Sequence, residues 1–341
     1  MKQNDNYNIK EFNTFGISVK AKKFIIVEND SELKELFDNN EFKTEIFILG
    51  GGSNVVFTQD FEGTIIKLDT KGVKVNNEDE NNIWVEAESG EDWDAFVAKT
   101  MELKAYGLEN LSLIPGDVGA SAVQNIGAYG VEAKDFIDSV EYFDITSGNV
   151  KKLSIDDLEF AYRDSVFKHK LKGKAIVIKI VFKLNKKPSL KLEYADIQKI
   201  MAENGLNVSN LTPEKLRQII IDIRTTKLED PKLLGNAGSF FKNPIIEESV
   251  AVELQKTYPD LKFNLIDKTF VKLSAGWLIE QAGWKGWTSK DGKYGVSKKH
   301  ALVLVNYLDA TGENIVELAE KIKSSVKEKF GILLEEEAIL I

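Results

Sequence analysis

The chain has no cysteine and only two histidines, His169 and His300, among its 341 residues. The absence of cysteine excludes disulfides, thiolate nucleophiles and cysteine-ligated iron–sulfur clusters. Two histidines make a histidine-rich metal site and Ser-His-Asp catalysis poor interpretations, so we expect no metal.

The chain also lacks a long apolar run. No stretch approaches the ~20 residues of a membrane-spanning helix, and the start, MKQNDNYNIKEF, has no apolar signal region. We therefore expect a soluble, cytoplasmic protein with no membrane partner. The net charge of −9 argues against nucleic-acid binding, because Lys and Arg supply most phosphate affinity. The length suggests two or three domains, and we expect a monomer.

One segment, from Ile114 to Glu132, is unusually small and neutral. It reads IPGDVGASAVQNIGAYGVE, with four glycines and only two charged residues. Such a composition lets a ligand lie directly against the main chain, whose N–H groups can donate to it. Flexible linkers are also glycine-rich, but they rarely combine proline, glutamine, asparagine and tyrosine in one run.

A second glycine-rich stretch, GGGSN at 50–54, follows the predicted buried strand Ile46–Leu49. A strand that leads into such a turn often holds phosphate through backbone N–H groups. The spacing is not GxGxxG, and the following residues Val55–Phe57 and Thr64–Leu68 favour strands over a helix, which argues against a Rossmann unit. A tight turn without a ligand explains GGGSN equally well.

Hydrophobic periodicity and end signals predict the remaining elements. Strands are expected at 83–88, 140–145, 175–184 and 332–341, and helices at 91–104, 212–228, 247–256, 275–282 and 313–330.

Two short motifs concentrate reactive side chains. NAGSFFKNP at 236–244 places Ser239 between a glycine and two aromatic residues, and a shielded hydroxyl suits a proton donor. A helix-cap or turn serine is the alternative. YRDSVFK at 162–168 contains Arg163, which can pair with a carboxylate through two parallel bonds. A surface ion pair with Asp164 is the alternative, and local sequence favours it.

Two charged clusters follow. RTTK at 224–227 carries Arg224 and Lys227, which could meet a pyrophosphate or cap a helix C-terminus. Alternation in the predicted last strand puts Glu335 and Glu337 on one face and Glu336 on the other. A buried glutamate there could act as an acid with a raised pKa, although a solvated face is commoner.

Taken in order, GGGSN, the 114–132 segment, YRDSVFK, NAGSFFKNP and the terminal LEEEA resemble the motifs of UDP-N-acetylenolpyruvoylglucosamine reductases. The resemblance runs from about Asn13 to the C-terminus. It implies an α+β fold, with a two-lobed FAD-binding domain of the vanillyl-alcohol oxidase type and a C-terminal α+β substrate-binding domain. We expect the first domain at 1–185, in lobes of about 1–70 and 71–185. The second is expected at 186–341, with a last strand that could pack back on the first lobe.

The resemblance also implies a reaction. Enzymes of this family transfer hydride from NADPH to FAD and then to the β carbon of the enolpyruvyl ether of UDP-N-acetylglucosamine. Protonation of the α carbon completes UDP-N-acetylmuramate for peptidoglycan precursor synthesis. Carried over to this chain, the proton donor is Ser239, the arginine near the substrate carboxylate is Arg163, and the terminal catalytic glutamate is Glu337. Because Glu336 replaces the family's proline, Glu335 is the fallback for that glutamate. The preference for NADPH over NADH comes from the resemblance alone.

The same resemblance implies the binding residues. The substrate would meet Tyr129, Tyr194, Lys227 and Asn243, and Tyr194 in LKLEYADI indicates the tyrosine-loop type. Ser297 occupies a place where the family commonly has histidine. The expected FAD contacts are Gly50, Gly51, Gly52, Ser53, Asn54, Ile114, Pro115, Gly116, Gly119, Ser121, Ala122, Gln124, Asn125, Gly127 and Ala128.

Two other functions remain open at this point. Another FAD oxidoreductase of the same fold would explain both glycine-rich segments, but not NAGSFFKNP with RTTK and the terminal glutamate. A nucleotide-sugar binding or regulatory protein that has lost catalysis would explain the binding residues, but not the retention of Ser239, Arg163 and Glu337.

Overall fold

The computed structural model describes residues 1–341, which fold as two compact units. The first unit comprises 1–7, 21–51 and 61–224, and the second comprises 8–20, 52–60 and 225–341. This division differs from the predicted boundary at 185/186, because residues 186–224 pack within the first unit. The domain boundary as a functional division stays a prediction.

Helices and strands alternate irregularly, as in an α+β protein. The strands are β1 (Lys2–Asn8), β2 (Lys20–Val27), β3 (Ile46–Leu49), β4 (Val55–Val56), β5 (Phe61–Leu68), β6 (Val73–Glu78), β7 (Asn82–Glu88), β8 (Gly127–Ala128), β9 (Val131–Glu132), β10 (Ile137–Asp144), β11 (Asn149–Ser154), β12 (Ala175–Asn185), β13 (Gly235–Ser239), β14 (Ile245–Glu247), β15 (Phe263–Leu265), β16 (Phe270–Leu273), β17 (Tyr294–Val296), β18 (Val303–Asn306) and β19 (Ile339–Leu340).

The helices are α1 (Asp30–Asp38), α2 (Trp93–Glu102), α3 (Val118–Val123), α4 (Ala195–Glu203), α5 (Pro213–Lys227), α6 (Glu248–Thr257), α7 (Ala275–Gln281) and α8 (Gly312–Phe330). Two helix ends carry common capping residues. Thr212 accepts a hydrogen bond from the N–H of Lys215 at the start of α5. Gly331 ends α8 with φ +70°. None of the helices has the length and apolar character needed to cross a membrane.

The first unit contains two main sheets. In the sheet ordered β1-β2-β5-β3, the strands β2, β5 and β3 run parallel. The sheet ordered β11-β10-β12-β7-β6 is antiparallel. Against it pack α2 and α3, with Trp93, Phe96 and Phe182 in one buried cluster. The aromatic face of α2 is therefore core, as its helical spacing predicted.

A separate hydrophobic cluster explains why residues 186–224 belong to the first unit. Buried residues of α4 and α5, among them Ile197, Leu216 and Ile220, form a cluster with Tyr129 packed against it. The helices are thereby fixed to the end of the glycine-rich segment.

The second unit contains small sheets ordered β13-β18-β17, β14-β16-β15 and β19-β4. The predicted strand over 332–341 is wrong for most of its length, since only Ile339 and Leu340 form β19, parallel to β4. Residues 332–338 instead follow an irregular path with one bridge, from Glu336 to Phe241. Strict alternation of the three glutamates therefore does not apply.

Candidate active site

Ser239 ends strand β13 in the second unit, opposite Val303 of β18. The pairing register shifts between Asn236 and Ser239. Gly238, the residue just before Ser239, has φ +68°, a conformation that glycine adopts without strain. The two phenylalanines that follow are fully buried. Ser239 is thus partly exposed, and it lies between a bent strand end and two buried phenylalanines.

The terminal glutamates lie beside this strand end. The N–H of Glu337 donates to the carbonyl of Phe240 at 2.8 Å, and the N–H of Lys242 donates to the carbonyl of Glu335 at 2.9 Å. The backbone of LEEEA therefore runs along the residues just after Ser239. The structure brings together two residues that are 98 positions apart in sequence (239 and 337).

The three glutamates differ in their surroundings. The Glu335 side chain is 76% exposed and pairs with Lys242 at 3.4 Å. Glu336 pairs with Lys323 at 2.8 Å. Glu337 is partly buried, and its carbonyl accepts from the side-chain amide of Asn54 at 3.0 Å. Exposure and pairing to solvent-facing lysines make Glu335 a weak fallback, so Glu337 remains the favoured residue of the three.

The second part of GGGSN is also fixed within the second unit. Gly52 has φ +64°, and a Cβ there would lie 2.0 Å from the carbonyl oxygen of Phe12. Thr14 donates its N–H to the Gly52 carbonyl at 3.0 Å. Only glycine fits this position, and the bonded backbone presents Ser53 and Asn54 in a fixed turn.

Asn243 and Lys227 lie at helix ends. The Asn243 side-chain oxygen accepts from the N–H of Ala275, the first residue of α7, at 3.0 Å. Lys227 is the exposed last residue of α5. Lys299 donates to the carbonyl of Leu228 at 3.2 Å. Lys299 thus caps this helix end, which was one of the two roles that the sequence left open for RTTK.

Ser297 is buried, and its hydroxyl donates to Glu229 at 2.7 Å. It also accepts from the N–H of Lys299 at 3.0 Å, which gives it a structural role in the turn. Three residues on, burial and the charges of Lys227 and Lys285 lower the pKa of His300. No sequence pattern pointed to this partly buried imidazole near two lysines.

Arg163, in the first unit, is held against the glycine-rich segment. Its guanidinium donates to the carbonyls of Gly127 at 2.7 Å and Asn125 at 3.3 Å. The backbone of Arg163 is left-handed, with φ +55°, a strain that tends to persist at functional sites. Asp164 pairs with His169 at 2.7 Å. The structure therefore brings YRDSVFK onto the 114–132 segment, a juxtaposition that spacing could not reveal.

Tyr129 and Tyr194 also lie together in this unit. Their rings meet edge to face with centroids 5.1 Å apart. Burial raises the pKa of Tyr129, which hydrogen-bonds Arg224. Arg224 in turn donates from Nε to the carbonyl of Leu113 at 3.1 Å. Arg224 therefore supports Tyr129, whereas the sequence had left open a contact with a pyrophosphate or a cap on the helix C-terminus.

Close packing requires glycine at Gly51 of GGGSN and at Gly119 of the 114–132 segment. A Cβ on Gly51 would lie 2.7 Å from the Cα of Gly116, and a Cβ on Gly119 would lie 2.1 Å from Oγ of Ser89. The backbone at the start of GGGSN therefore packs directly against the backbone of the second segment just before α3. This is the kind of surface that a nucleotide cofactor can approach closely.

Ser121 and Asn125 behave differently within that segment. Oγ of Ser121 is buried without a hydrogen-bond partner, a condition that usually indicates a missing ligand or water. The Asn125 side chain instead donates to Glu132 at 3.0 Å and to the Ala161 carbonyl at 2.9 Å, and accepts from Lys134 at 3.0 Å. Ser121 fits a cofactor contact, while the side chain of Asn125 supports the fold around it.

Two family models match parts of this chain. Residues 21–154 match the family model described as "FAD binding domain", and residues 229–341 match "UDP-N-acetylenolpyruvoylglucosamine reductase, C-terminal domain".

Similar curated proteins carry one name, UDP-N-acetylenolpyruvoylglucosamine reductase. The Flavobacterium johnsoniae protein is 43% identical over 100% of both chains. The Amoebophilus asiaticus protein is 40% identical over 99% of this chain and 98% of its own.

Two solved structures share the fold. The reductase of the same name from Thermus caldophilus has a TM-score of 0.67 at 24% identity and covers 99% of this chain and 98% of its own. The 4-ethylphenol oxidase from Gulosibacter chungangensis has a TM-score of 0.50 at 10% identity over 95% of this chain and 82% of its own.

Proposed function

The chain belongs to the UDP-N-acetylenolpyruvoylglucosamine reductase family, and from that premise we propose which of its residues carry the reaction and that NADPH is the reductant. The protein is an FAD-dependent oxidoreductase that reduces UDP-N-acetylenolpyruvoylglucosamine. We further propose that it works in the cytoplasm as a monomer of the tyrosine-loop type.

The observation that carries the residue assignment is the hydrogen bond from Glu337 N–H to the Phe240 carbonyl, 2.8 Å long. It supports a site in which an acid from the C-terminus stands beside the serine of NAGSFFKNP. The bond from Lys242 N–H to the Glu335 carbonyl, 2.9 Å long, joins the same two motifs one step further along.

When bound, FAD supplies the hydride that reaches the β carbon of the enolpyruvyl ether, and NADPH restores that hydride. Addition at the β carbon moves the double-bond electrons toward the α carbon and its carboxylate. A fixed cation and a protonated acid stabilise charge where it develops, and Arg163 and Glu337 are the residues proposed for these roles. Arg163 is already oriented by its bonds to Gly127 and Asn125.

Ser239 then gives its proton to the α carbon, which balances the reduction: one hydride and one proton are added across the double bond. A serine hydroxyl is a weak acid, so it serves only because the neighbouring carbanionic enolate is a strong base. The strand end and the buried phenylalanines support this role, since they hold the backbone on both sides of the serine.

Cofactor binding is proposed for the two glycine-rich segments. The cofactor residues proposed from the resemblance are Gly50, Gly51, Gly52, Ser53, Asn54, Ile114, Pro115, Gly116, Gly119, Ser121, Ala122, Gln124, Asn125, Gly127 and Ala128. The unpartnered hydroxyl of Ser121 and the close approach of Gly51 to Gly116 support this set. For the substrate, Tyr129, Tyr194, Lys227 and Asn243 are proposed.

A two-step colour experiment tests the proposal. NADPH should bleach the yellow holoenzyme, and UDP-N-acetylenolpyruvoylglucosamine added without oxygen should restore the colour as UDP-N-acetylmuramate forms. Flavin that stays bleached with the substrate present would contradict catalysis and favour a binding or regulatory protein. Repeating the first step with NADH tests the choice of nucleotide.

A further inference from the structure

A lysine and an aspartate join the two glycine-rich segments of the first unit. Lys67 donates from Nζ to Oδ2 of Asp117 at 3.1 Å and to the carbonyl of Gly50 at 3.2 Å. Asp117 belongs to the 114–132 segment, and Gly50 begins GGGSN. One ammonium group therefore holds both segments, which are more than sixty residues apart in sequence.

The sheet register explains why the lysine reaches this point. Lys67 is opposite Leu49 in the parallel pairing of β5 with β3. Since Leu49 is the last residue of β3, Lys67 stands at the carboxyl end of the sheet, next to the turn. Ligands of parallel α/β sheets characteristically bind outside this end.

Asp117 is unusual for its position. It is the residue before α3, with extended backbone angles, yet its side chain makes no capping hydrogen bond to that helix. The carboxylate is instead paired with Lys67, and the two side chains are only 14% and 19% exposed. A side chain at this position usually caps the helix. The side chain of Asp117 instead binds Lys67, which also holds the neighbouring segment.

The charge of the pair is also relevant. Oδ1 of Asp117 lies 3.1 Å from where a Cβ on Gly51 would be, close to the contact of Gly51 with Gly116. An unpaired carboxylate there would repel the phosphates that such glycine-rich turns bind. The ammonium of Lys67 neutralises it and at the same time fixes the Gly50 peptide.

We propose that Lys67 is a positioning residue for the cofactor, which acts through Asp117 to hold the two glycine-rich segments together and to cancel a negative charge beside the FAD phosphates. This inference rests on the proposed assignment of both segments to FAD. Lys67 does not contact the substrate in this proposal, and its effect is on cofactor retention.

The test measures FAD dissociation from purified holoenzyme by ultrafiltration at a series of dilutions, at a temperature where far-UV circular dichroism shows each variant to be folded. Lys67→Met leaves the partly buried carboxylate unpaired and should raise the Kd for FAD about 100-fold. Lys67→Arg keeps the pair and should stay within about threefold of wild type.

The double variant Lys67→Met/Asp117→Asn decides the mechanism. Because it removes the unpaired charge, it should recover about tenfold of the affinity lost in Lys67→Met. A double variant as weak as Lys67→Met would overturn the role of Asp117, and an unchanged Kd in Lys67→Met would overturn the inference altogether.

A matched control is available in the same sheet. Lys23 of β2 pairs with Glu41 at 2.7 Å with similar exposure, 26% and 24%. Lys23→Met should leave the Kd for FAD unchanged, and an equal loss would assign the effect to general destabilisation and overturn the inference. Wild-type protein that retains no FAD would overturn the proposed function together with this inference, whereas the variant outcomes concern the inference alone.

Discussion

The rings of Tyr129 and Tyr194 lie edge to face at an interplanar angle of 81°. The two residues are not equally fixed. Tyr129 is partly buried and bonded to Arg224, whereas Tyr194 is 46% exposed at the start of α4. Tyr194 is therefore the more exposed member of the pair.

We expect Tyr194→Ala to raise the KM for the enolpyruvyl substrate about tenfold, since it removes an aromatic contact and a hydroxyl worth about 1.4 kcal/mol together. Tyr194→Phe keeps the ring pair and should recover most of the loss. Steady-state kinetics with both variants gives the answer. Flavin reduction by NADPH in the absence of substrate serves as the control, and an unchanged KM in Tyr194→Ala would count against Tyr194 as a substrate residue.

Ser239→Ala separates the two half-reactions. Flavin reduction by NADPH should stay near the wild-type rate, while reoxidation by the enolpyruvyl substrate should slow by about 10²–10⁴-fold, the usual contribution of a positioned proton donor. Stopped-flow absorbance of the flavin measures both steps. A parallel fall in both would mean that Ser239 holds the structure rather than donates the proton.

Neighbouring glycines of GGGSN should respond differently to a methyl group. A Cβ on Gly50 would make ordinary contacts at 3.8 Å, but on Gly51 it would lie 2.7 Å from the Gly116 backbone. Gly51→Ala should therefore lower the melting temperature by several degrees, an effect of about 1–3 kcal/mol for overpacking.

Gly50→Ala is the matched control and should melt near wild type. A loss of FAD affinity in Gly50→Ala at unchanged melting temperature would indicate that the cofactor itself approaches this residue. Equal melting temperatures for all three proteins would contradict the packing argument.

The salt bridge between Asp94 and Arg217 makes stability depend on pH. The two terminal nitrogens of Arg217 donate to the Asp94 carboxylate at 2.7 and 2.9 Å. The N–H of Leu113 donates to the same carboxylate at 2.6 Å. Burial opposes the charge, but these bonds prevail and hold the pKa of Asp94 below its usual value. The charged Asp94 therefore contributes fully to the free energy of unfolding above the unfolded carboxyl pKa of about 4. That contribution is lost as the pH falls through the lower folded pKa.

At pH 7 we expect Asp94→Asn to reduce the free energy of unfolding by about 2 kcal/mol. The difference from wild type should shrink below about pH 4. Urea unfolding at both pH values measures it. Asp38→Asn, which breaks an exposed pair with Lys34, should cost less than about 0.5 kcal/mol. A pH-independent difference for Asp94→Asn would show that the charge is not its cause.

Local pattern was sufficient for five of the eight helices. The aromatic spacing of 91–104, the Thr-Pro start at 212 and the glycine after 330 each predicted a helix that is present, because propensity, capping and packing agree there. The family was also recognised correctly from its motifs, and membership excludes the rival flavin oxidoreductase acting on another substrate.

The failures have a common physical origin. The apolar residues at both ends of 332–341 predicted a strand, but residues 332–338 hydrogen-bond singly to Phe240 and Lys242 rather than to a continuous partner. The sequence offered Arg224 as a pyrophosphate contact or a helix cap, yet in the fold it bonds Tyr129 and Leu113. The Lys67–Asp117 pair joins two motifs that are distant in sequence. Each of these features depends on contacts between residues that are distant in sequence. A local sequence pattern does not predict such contacts.

The order of segments in the two units has a consequence for synthesis and truncation. Residues 8–20 and 52–60 belong to the second unit, and β4 pairs in parallel with β19 at the very end of the chain. A ribosome must therefore release Ile339 and Leu340 before that pair can close. No single cut can yield both units intact, and a deletion of only the final residues would leave the strand at Val55 without its partner.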